Sequence, residues 1–318
     1  MKFNKLLLTY DTLFAPLSFD IVMALAFCRA FSAKYGLAEK FDVQLVNSGY
    51  RSVGIEANYE VNYQKQKFLD VIVNTVMRCE WVDSVFINRE PIDYGESYAF
   101  QIPTSDMIEK RTQLPEWQVT PMVPNQLALL IEQGGTLSDA GFSASESEKT
   151  CLSYLGDKCI TFHPRVSMHS PERNTNKNLA TEVAEKLKVL GYTVAFVPDI
   201  EDIRAGFAWS DFPAEPLMQG AYSLGARVAV AEHSLMNLLW SGGAALPLYF
   251  SRSRFVVTGV LNYSNPISSP EFFARKGPVP NQQPNWFCEA GQIMDWTPTH
   301  ELNAENLTRR LIEAIGAK

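Results

Sequence analysis

Between residues 159 and 199 the chain alternates apolar and polar blocks in an order that few folds accept. Cys159-Ile-Thr-Phe-His-Pro-Arg165 is an apolar run closed by polar residues, and Ser170-Pro-Glu-Arg-Asn-Thr-Asn176 is a charged loop. An amphipathic stretch leads to Gly191, and Tyr192-Thr-Val-Ala-Phe-Val-Pro-Asp199 is a second apolar run. The pattern predicts strand, loop, helix, strand. Two parallel strands joined by a helix require the right-handed crossover of an open α/β sheet. Such sheets bind ligands at the carboxyl ends of their strands. His163, Pro164, Arg165, Arg173 and Asn174 stand at that end, ahead of a helix N-terminus, and together suit an anionic, phosphate-bearing ligand.

The same alternation runs through the first half. Lys5–Tyr10 predicts a strand. Phe19, Met23, Ala26, Phe27, Ala30 and Phe31 recur at helical spacing up to Gly36. Phe41–Val46 predicts a second strand, residues 58–79 a long helix with Phe68, Val71, Ile72, Thr75 and Val76 on one face, and Ser84–Asn88 a third strand. Residues 90–121 carry Pro91, Gly95, Pro103, Pro115 and Pro121 and read as a functional loop. Helices are expected over 122–133 and 145–155, with a domain boundary near 134–145. Beyond 199, the sequence predicts a helix at Pro216–Ser223, a strand at Arg227–Ala231, a short helix at Leu235–Trp240, a strand at Leu246–Phe250 and a last helix at Asn303–Ile315. Leu179, Val183, Leu187 and Leu190 are expected to face the second sheet.

At 318 residues the chain can bury two cores. Its net charge of −7 disfavours broad nucleic-acid binding, so any phosphate site must be local. No apolar run reaches the roughly 20 residues of a membrane span. The five cysteines are widely spaced and form no CxxC pair, which predicts reduced thiols in a cytosolic protein and no zinc site. A dinucleotide fingerprint, a Walker loop and a nucleophile elbow are all missing. So is the Asp-x-Asp motif of metal-dependent sugar transferases, and no metal is expected.

Several residues could carry chemistry. A phosphate needs fixed donors: Arg165 offers a planar fork and His163 an adjustable one, the alternative being a histidine satisfied by backbone and an arginine paired with a nearby carboxylate. Thr175 or Asn176 suits a helix cap, whereas a cation at Arg173 opposes the helix dipole and calls for an anion or an acid. Asp199 could accept from sugar hydroxyls or start a turn. Glu232 and His233 could form an acid/base pair. The turn Ser241-Gly242-Gly243 could bring backbone N–H groups to a phosphate or cap a helix. Asp11 and Asp20 are candidate general bases between strand one and helix one, where a carboxylate also simply stabilises a helix start, and Ser18 suits its N-cap. Trp286 with Gln282, Gln283 and Gln292 suits sugar or base recognition, or packing of the last helix.

With those residues in view, the chain resembles the GT-B superfamily of sugar transferases, and within it a bacterial branch tied to cell-surface polysaccharide synthesis. The Asp11–Asp20 turn ending in Pro-Leu-Ser-Phe-Asp, with Phe-Asp-Val-Gln-Leu-Val after helix one, carries one half of the likeness. The other half rests on Ile-Thr-Phe-His-Pro-Arg, Arg-Asn-Thr-Asn and Val-Pro-Asp, then Ala221-Tyr222, Gly242-Gly243, Leu-Pro-Leu-Tyr-Phe250 and Gln283-Pro-Asn-Trp286. His163-Pro164 is also similar to the His-Pro element of bacterial sialyl- and Kdo-type transferases, whose histidine contacts a nucleotide phosphate.

The resemblance implies an α/β protein of two Rossmann-like domains facing a cleft. Residues 1–140 would form the acceptor domain and 141–302 the nucleotide-sugar domain, with 303–318 a helix crossing back to the first. It implies a cytoplasmic, metal-independent glycosyltransferase, at most peripherally membrane-bound, acting on a glycan or lipid-linked acceptor in the bacterial envelope. The nucleotide-sugar would be a substrate, with no cofactor. His163, Arg165 and Arg173 would neutralise the leaving phosphate, and Asn174, Asp199, Glu232, His233, Ser241, Gly242 and Gly243 would help hold the nucleotide. Asp11 or Asp20 would activate the acceptor. A nucleotide-sugar hydrolase or epimerase, or a non-catalytic partner on the same fold, are the alternatives.

Overall fold

A computed structural model describes residues 3–50, 60–94, 97–104, 106, 107, 110, 124–137, 139–167, 170–276, 278–287 and 289–316. Gly95, Pro115 and Pro121, named above in the stretch 90–121, lie outside them, as do Gly277 and one of the five cysteines, Cys288. The chain divides into two compact units, Met1–Gly141 and Phe142–Lys318.

The first unit holds β1 (Phe3–Asp11), α1 (Ile21–Lys34), β2 (Phe41–Val46), β3 (Val82–Asn88) and β4 (Tyr98–Ile102), with a helix α2 over 61–78 and α3 (Pro124–Glu132). Its sheet runs β3-β2-β1-β4, and every pairing is parallel. In α2, Gln64, Phe68, Ile72, Thr75 and Val76 are buried, a helical spacing kept through a π-helical turn at Phe68–Val73. α1 is buried on more than one face, because α3 packs on it as well as the sheet. Its buried Arg29 is held by Asp139, 2.9 Å away. The expected loop over 90–121 contains β4 as a further strand.

The second unit holds α4 (Glu146–Thr150), β5 (Cys159–His163), α5 (Lys177–Val189), β6 (Thr193–Phe196), α6 (Ile200–Arg204), β7 (Glu215–Pro216), α7 (Leu224–His233), β8 (Met236–Trp240), β9 (Phe255–Thr258), β10 (Gln292–Met294) and α8 (Ala304–Gly316). The sheet order β10-β9-β8-β5-β6-β7 is all parallel. Counted from β5 this is the doubly wound order 3-2-1-4-5-6, which reverses direction between β5 and β8. Leu179, Val183 and Leu187 of α5 pack on β5, β6 and β8, each side chain contributing about 1.5–3 kcal/mol. Leu190, expected with them, is exposed. α8 packs beside α5 through Leu307, Leu311 and Ala314, in the second unit's own core.

Three further elements differ from expectation. Residues 227–231 are helix, 236–240 strand, and Leu246–Tyr249 a helical turn. α7 is buried over Gly225 and Arg227–Ala231, so its periodicity is hidden and its Val-Ala-Val reads as strand. β8, Met-Asn-Leu-Leu-Trp, is wholly buried in mid-sheet and contains no β-branched residue. The exchange matters for function, because it decides which residues reach the carboxyl edge.

The junction of the units is tightly packed on each side. A Cβ on Gly141 would lie 2.7 Å from the Trp81 ring. The next residue, Phe142, donates its N–H to Phe250 O at 3.2 Å and bridges Ser251.

Candidate active site

The reversal between β5 and β8 makes the crevice at their carboxyl ends the expected ligand site. His163 ends β5 and pairs in register with Leu239 of β8. The loop that follows is closed at its neck by Arg165 and Thr175. Arg165 N–H donates to Thr175 Oγ1 at 2.8 Å, and Thr175 N–H donates to Arg165 O at 2.9 Å. Inside the loop, Arg165 Nη1 donates to Ser170 O at 3.1 Å and to Asn174 Oδ1 at 2.5 Å. Asn174 also accepts from Ser167 N–H and donates to Ser167 O, both at 2.9 Å. Asn176 caps α5 by accepting from Leu179 N–H at 3.2 Å. Arg165 and Asn174 thus shape the loop from within, and burial lowers the Arg165 pKa against the opposing pull of Asp199, Glu201 and Glu172.

Arg173 ends the short 3-10 turn Pro171–Arg173. Its charge acts on Tyr249, whose pKa is nonetheless raised by burial, and the Tyr249 side chain is hydrogen-bonded to Ser241. Tyr249 therefore links Arg173 to the turn Ser241–Gly243, which leaves the carboxyl end of β8 because residues 236–240 are strand. Gly242 has extended backbone, so its lack of a side chain serves space: a Cβ there would lie 2.9 Å from Arg165 Cδ. Arg165, Arg173, Ser241, Gly242 and Tyr249 form one cluster at the switch point. Its donors and positive charge can hold an anion.

His163 does not fit the role of a charged phosphate ligand. Its side chain is 4% exposed, and burial, with the Arg227 charge added, lowers its pKa to about 3. Asn237 Nδ2 donates to Ala231 O and Arg254 O, each at 2.8 Å, so Asn237 Oδ1 faces His163 Nε2 at 3.1 Å. Nε2 therefore carries the proton and Nδ1 is an acceptor. The ring lines a small cavity of about 10 Å³ with Pro164, Thr175, Trp209 and Trp240. A neutral ring with a buried acceptor cannot neutralise a leaving phosphate.

Glu232 and His233 lie at the opposite edge of the sheet. They end α7, and the following Leu235 N–H donates to the O of Cys159, the first residue of β5, at 2.9 Å. Glu232 accepts from Ala144 N–H at 3.2 Å, Arg252 N–H at 3.3 Å and Lys149 Nζ at 3.1 Å. It is a structural anchor, and both residues stand away from the cluster at the carboxyl ends of β5 and β8. Asp199 caps α6 through Glu201 N–H at 3.0 Å and ties down the loop through Val166 N–H at 3.2 Å. Its pKa is raised by burial. Asn174 and Asp199 thus serve the loop as scaffold. Gln283 pairs with the Met294 backbone, Gln292 with Ser251 O and Ser253 O, and Trp286 is buried, so that cluster is packing.

In the first unit, the sheet order also reverses at its first strand, between β1 and β4. Asp11 ends β1, buried, and accepts from Leu13 N–H at 3.0 Å and Ser48 Oγ at 3.4 Å. Asp20 precedes α1 with a helical backbone and accepts from Ser18 Oγ at 2.5 Å, so Ser18 supports Asp20 and does not cap the helix. Gln44, wholly buried on β2, satisfies all of its amide. It donates to Thr9 Oγ1 at 3.2 Å and Ile92 O at 3.0 Å, and accepts from Asn88 Nδ2 at 3.1 Å and Ile92 N–H at 2.6 Å. Among the described residues no three His, Cys, Asp or Glu side chains gather as a metal site requires.

No family model matches the chain, and no curated protein matches it in sequence. Solved structures do. A family 9 glycosyl transferase from Veillonella parvula aligns with a TM-score of 0.59 at 11% identity, over 99% of this chain and 97% of that one. The E. coli ADP-heptose LPS heptosyltransferase II aligns at 0.54 and 12% identity, over 98% of each chain. The fold is GT-B.

Within this GT-B chain, sequence reasoning missed Thr175, Asn237 and Tyr249. Thr175 passed for a helix cap. Asn237 and Tyr249 fell in segments whose strand and helix assignments were exchanged. A polar Asn inside the apolar run Met236–Trp240 was the available signal, because a buried amide needs partners.

Proposed function

We propose that the protein is a metal-independent glycosyltransferase that moves a sugar from a nucleotide-sugar to a hydroxyl of a glycan or lipid-linked acceptor in the bacterial envelope. The observation that carries this is the cluster of Arg165, Arg173, Ser241, Gly242 and Tyr249 at the switch point of the second sheet, in a GT-B chain. Arg173 and the Ser241–Gly243 turn bind the diphosphate, and Arg165 shapes the loop around it. Asp11 accepts the acceptor's hydroxyl proton as the oxygen bonds the anomeric carbon. The bond from that carbon to the phosphate oxygen breaks, and the nucleotide leaves with its charge met by Arg173. Stabilising charge that develops in the transition state is usually the largest catalytic contribution. Among the described residues no helix is long and apolar enough to cross a membrane; a lipid-linked acceptor would be met at a membrane surface.

The E. coli structure of similar fold belongs to an ADP-heptose enzyme, which makes ADP-sugars the first donors to try. Thermal unfolding with ADP, UDP, GDP and CMP tests the proposal. A bound nucleotide at a hundred times its Kd stabilises by about 2.7 kcal/mol. Mass spectrometry of the matching nucleotide-sugar, with and without acceptor glycans, then identifies the product. A flat response to all four nucleotides would sink the proposal, and free sugar as the sole product would make the protein a hydrolase.

A further inference from the structure

The turn that carries Arg173 is gripped from a distant part of the chain. Asn262 and Asn265, on the loop after β9, are 3% and 4% exposed. Asn262 Nδ2 donates to Glu172 O at 2.8 Å, and Asn265 Nδ2 donates to Glu172 Oε1. The loop is itself rigid. Asn262 Oδ1 accepts from Ser264 N–H at 3.0 Å and Ser264 Oγ at 2.9 Å, and Ser268 O accepts from Asn262 N–H at 2.9 Å. Burying two amides costs free energy unless each is well bonded. Here both bonds are made to a single exposed residue on a three-residue turn, the neighbour of Arg173.

Resting on the glycosyltransferase proposal, we infer that Asn262 and Asn265 are positioning residues that clasp Glu172 and so hold Arg173 in register with Tyr249 and Ser241 for the donor's phosphates. The clasp also gives Glu172 a role. An acid beside a phosphate-binding arginine weakens the field there, and Asn265 engages that carboxylate in a charge-assisted bond. An amide oxygen at 172 could accept the same bond without the charge. The clasp function and the charge function of Glu172 are therefore separable.

Two measurements test this in the full chain. Hydrogen exchange over 165–176 reads the loop through the amides of Ser167, Arg173 and Thr175, each bonded within it. Glu172→Ala, a surface change, should speed that exchange on the order of tenfold. Asn265→Ala should do the same, and Glu172→Gln should retain protection. Calorimetry with ADP, UDP, GDP and CMP, and with the nucleoside of whichever binds, reads the site. Glu172→Ala should weaken the nucleotide on the order of tenfold and leave the nucleoside unchanged. Unaltered exchange in both alanine variants overturns the clasp. A wild type that binds nucleotide and a Glu172→Ala variant that binds it equally well overturn the clasp's link to phosphate alone. A wild type that binds none of the four overturns that link together with the glycosyltransferase proposal.

Discussion

The two sheets follow the same winding rule and differ in what they place at its turning point. In the first, β3-β2-β1-β4 brings the acid Asp11 to the carboxyl end of β1. In the second, β7-β6-β5-β8 repeats that order and brings Arg165, Arg173 and the Ser241–Gly243 turn to the ends of β5 and β8. The supports differ in kind too. The first edge is tied by the fully satisfied Gln44 amide, and the second by an arginine, an asparagine and a threonine closing one loop. One winding can thus present a carboxylate or a cationic cluster, depending on which few residues follow the strands.

If the acid edge serves chemistry and the cationic edge serves binding, single substitutions should separate rate from affinity. Asp11→Asn should lower kcat by about 10²–10⁴-fold, the range of general-base catalysis, with nucleotide affinity intact. Its Oδ1 can still accept from Leu13, so the fold should hold. Steady-state kinetics beside calorimetry checks this. Arg173→Ala should act in the opposite way, weakening nucleotide binding about 10–100-fold at an unchanged melting temperature, as loss of charged hydrogen bonds would. A kcat loss in either variant that tracks its affinity loss would blur the contrast.

Acid should also distinguish the units, since all four histidines, His163, His169, His233 and His300, lie in the second. His163 has a folded pKa of about 3, below its unfolded value of about 6.5. The unfolded chain therefore takes up the proton first. The stability present above pH 6.5 is lost as pH falls toward 3, at about 1.4 kcal/mol per pH unit. Urea unfolding of wild type and His163→Gln at pH 7, 6 and 5 should show the slope in the first and a shallower one in the second. The smallest expected effect is that of Gly242→Ala. Its Cβ would press on the Arg165 stem, and nucleotide affinity should fall about threefold, within the range of a modest packing strain.

Where burial leaves one element face polar, the sequence discloses the element; where burial is complete, it does not. α5 shows Leu179, Val183 and Leu187 against charged neighbours, and β1, β2, β5 and β6 are short apolar runs between polar turns. These were legible. α7 is buried on nearly every side and β8 on both faces, so neither period appears, and local propensity points the wrong way for both. β4, Tyr-Ala-Phe-Gln-Ile, was hidden among prolines. At the site, charge was legible at Arg173, because a cation before a helix demands an answer. The neutrality of His163 was not, because it depends first on burial in the folded core and then on the charge of Arg227, more than 60 residues away.

The seam between Gly141 and Phe142 carries a practical lesson for dissecting the chain. Gly141 is wedged under an indole on one side, and Phe142 is already paired to Ser251 on the other. An expression boundary for the second half therefore belongs immediately before Phe142. Starting nine residues later, past the helix Glu146–Thr150, would strip Lys149 and the Ala144 N–H from Glu232 and leave a buried carboxylate with only the Arg252 N–H bond, a defect that no solubility tag would repair.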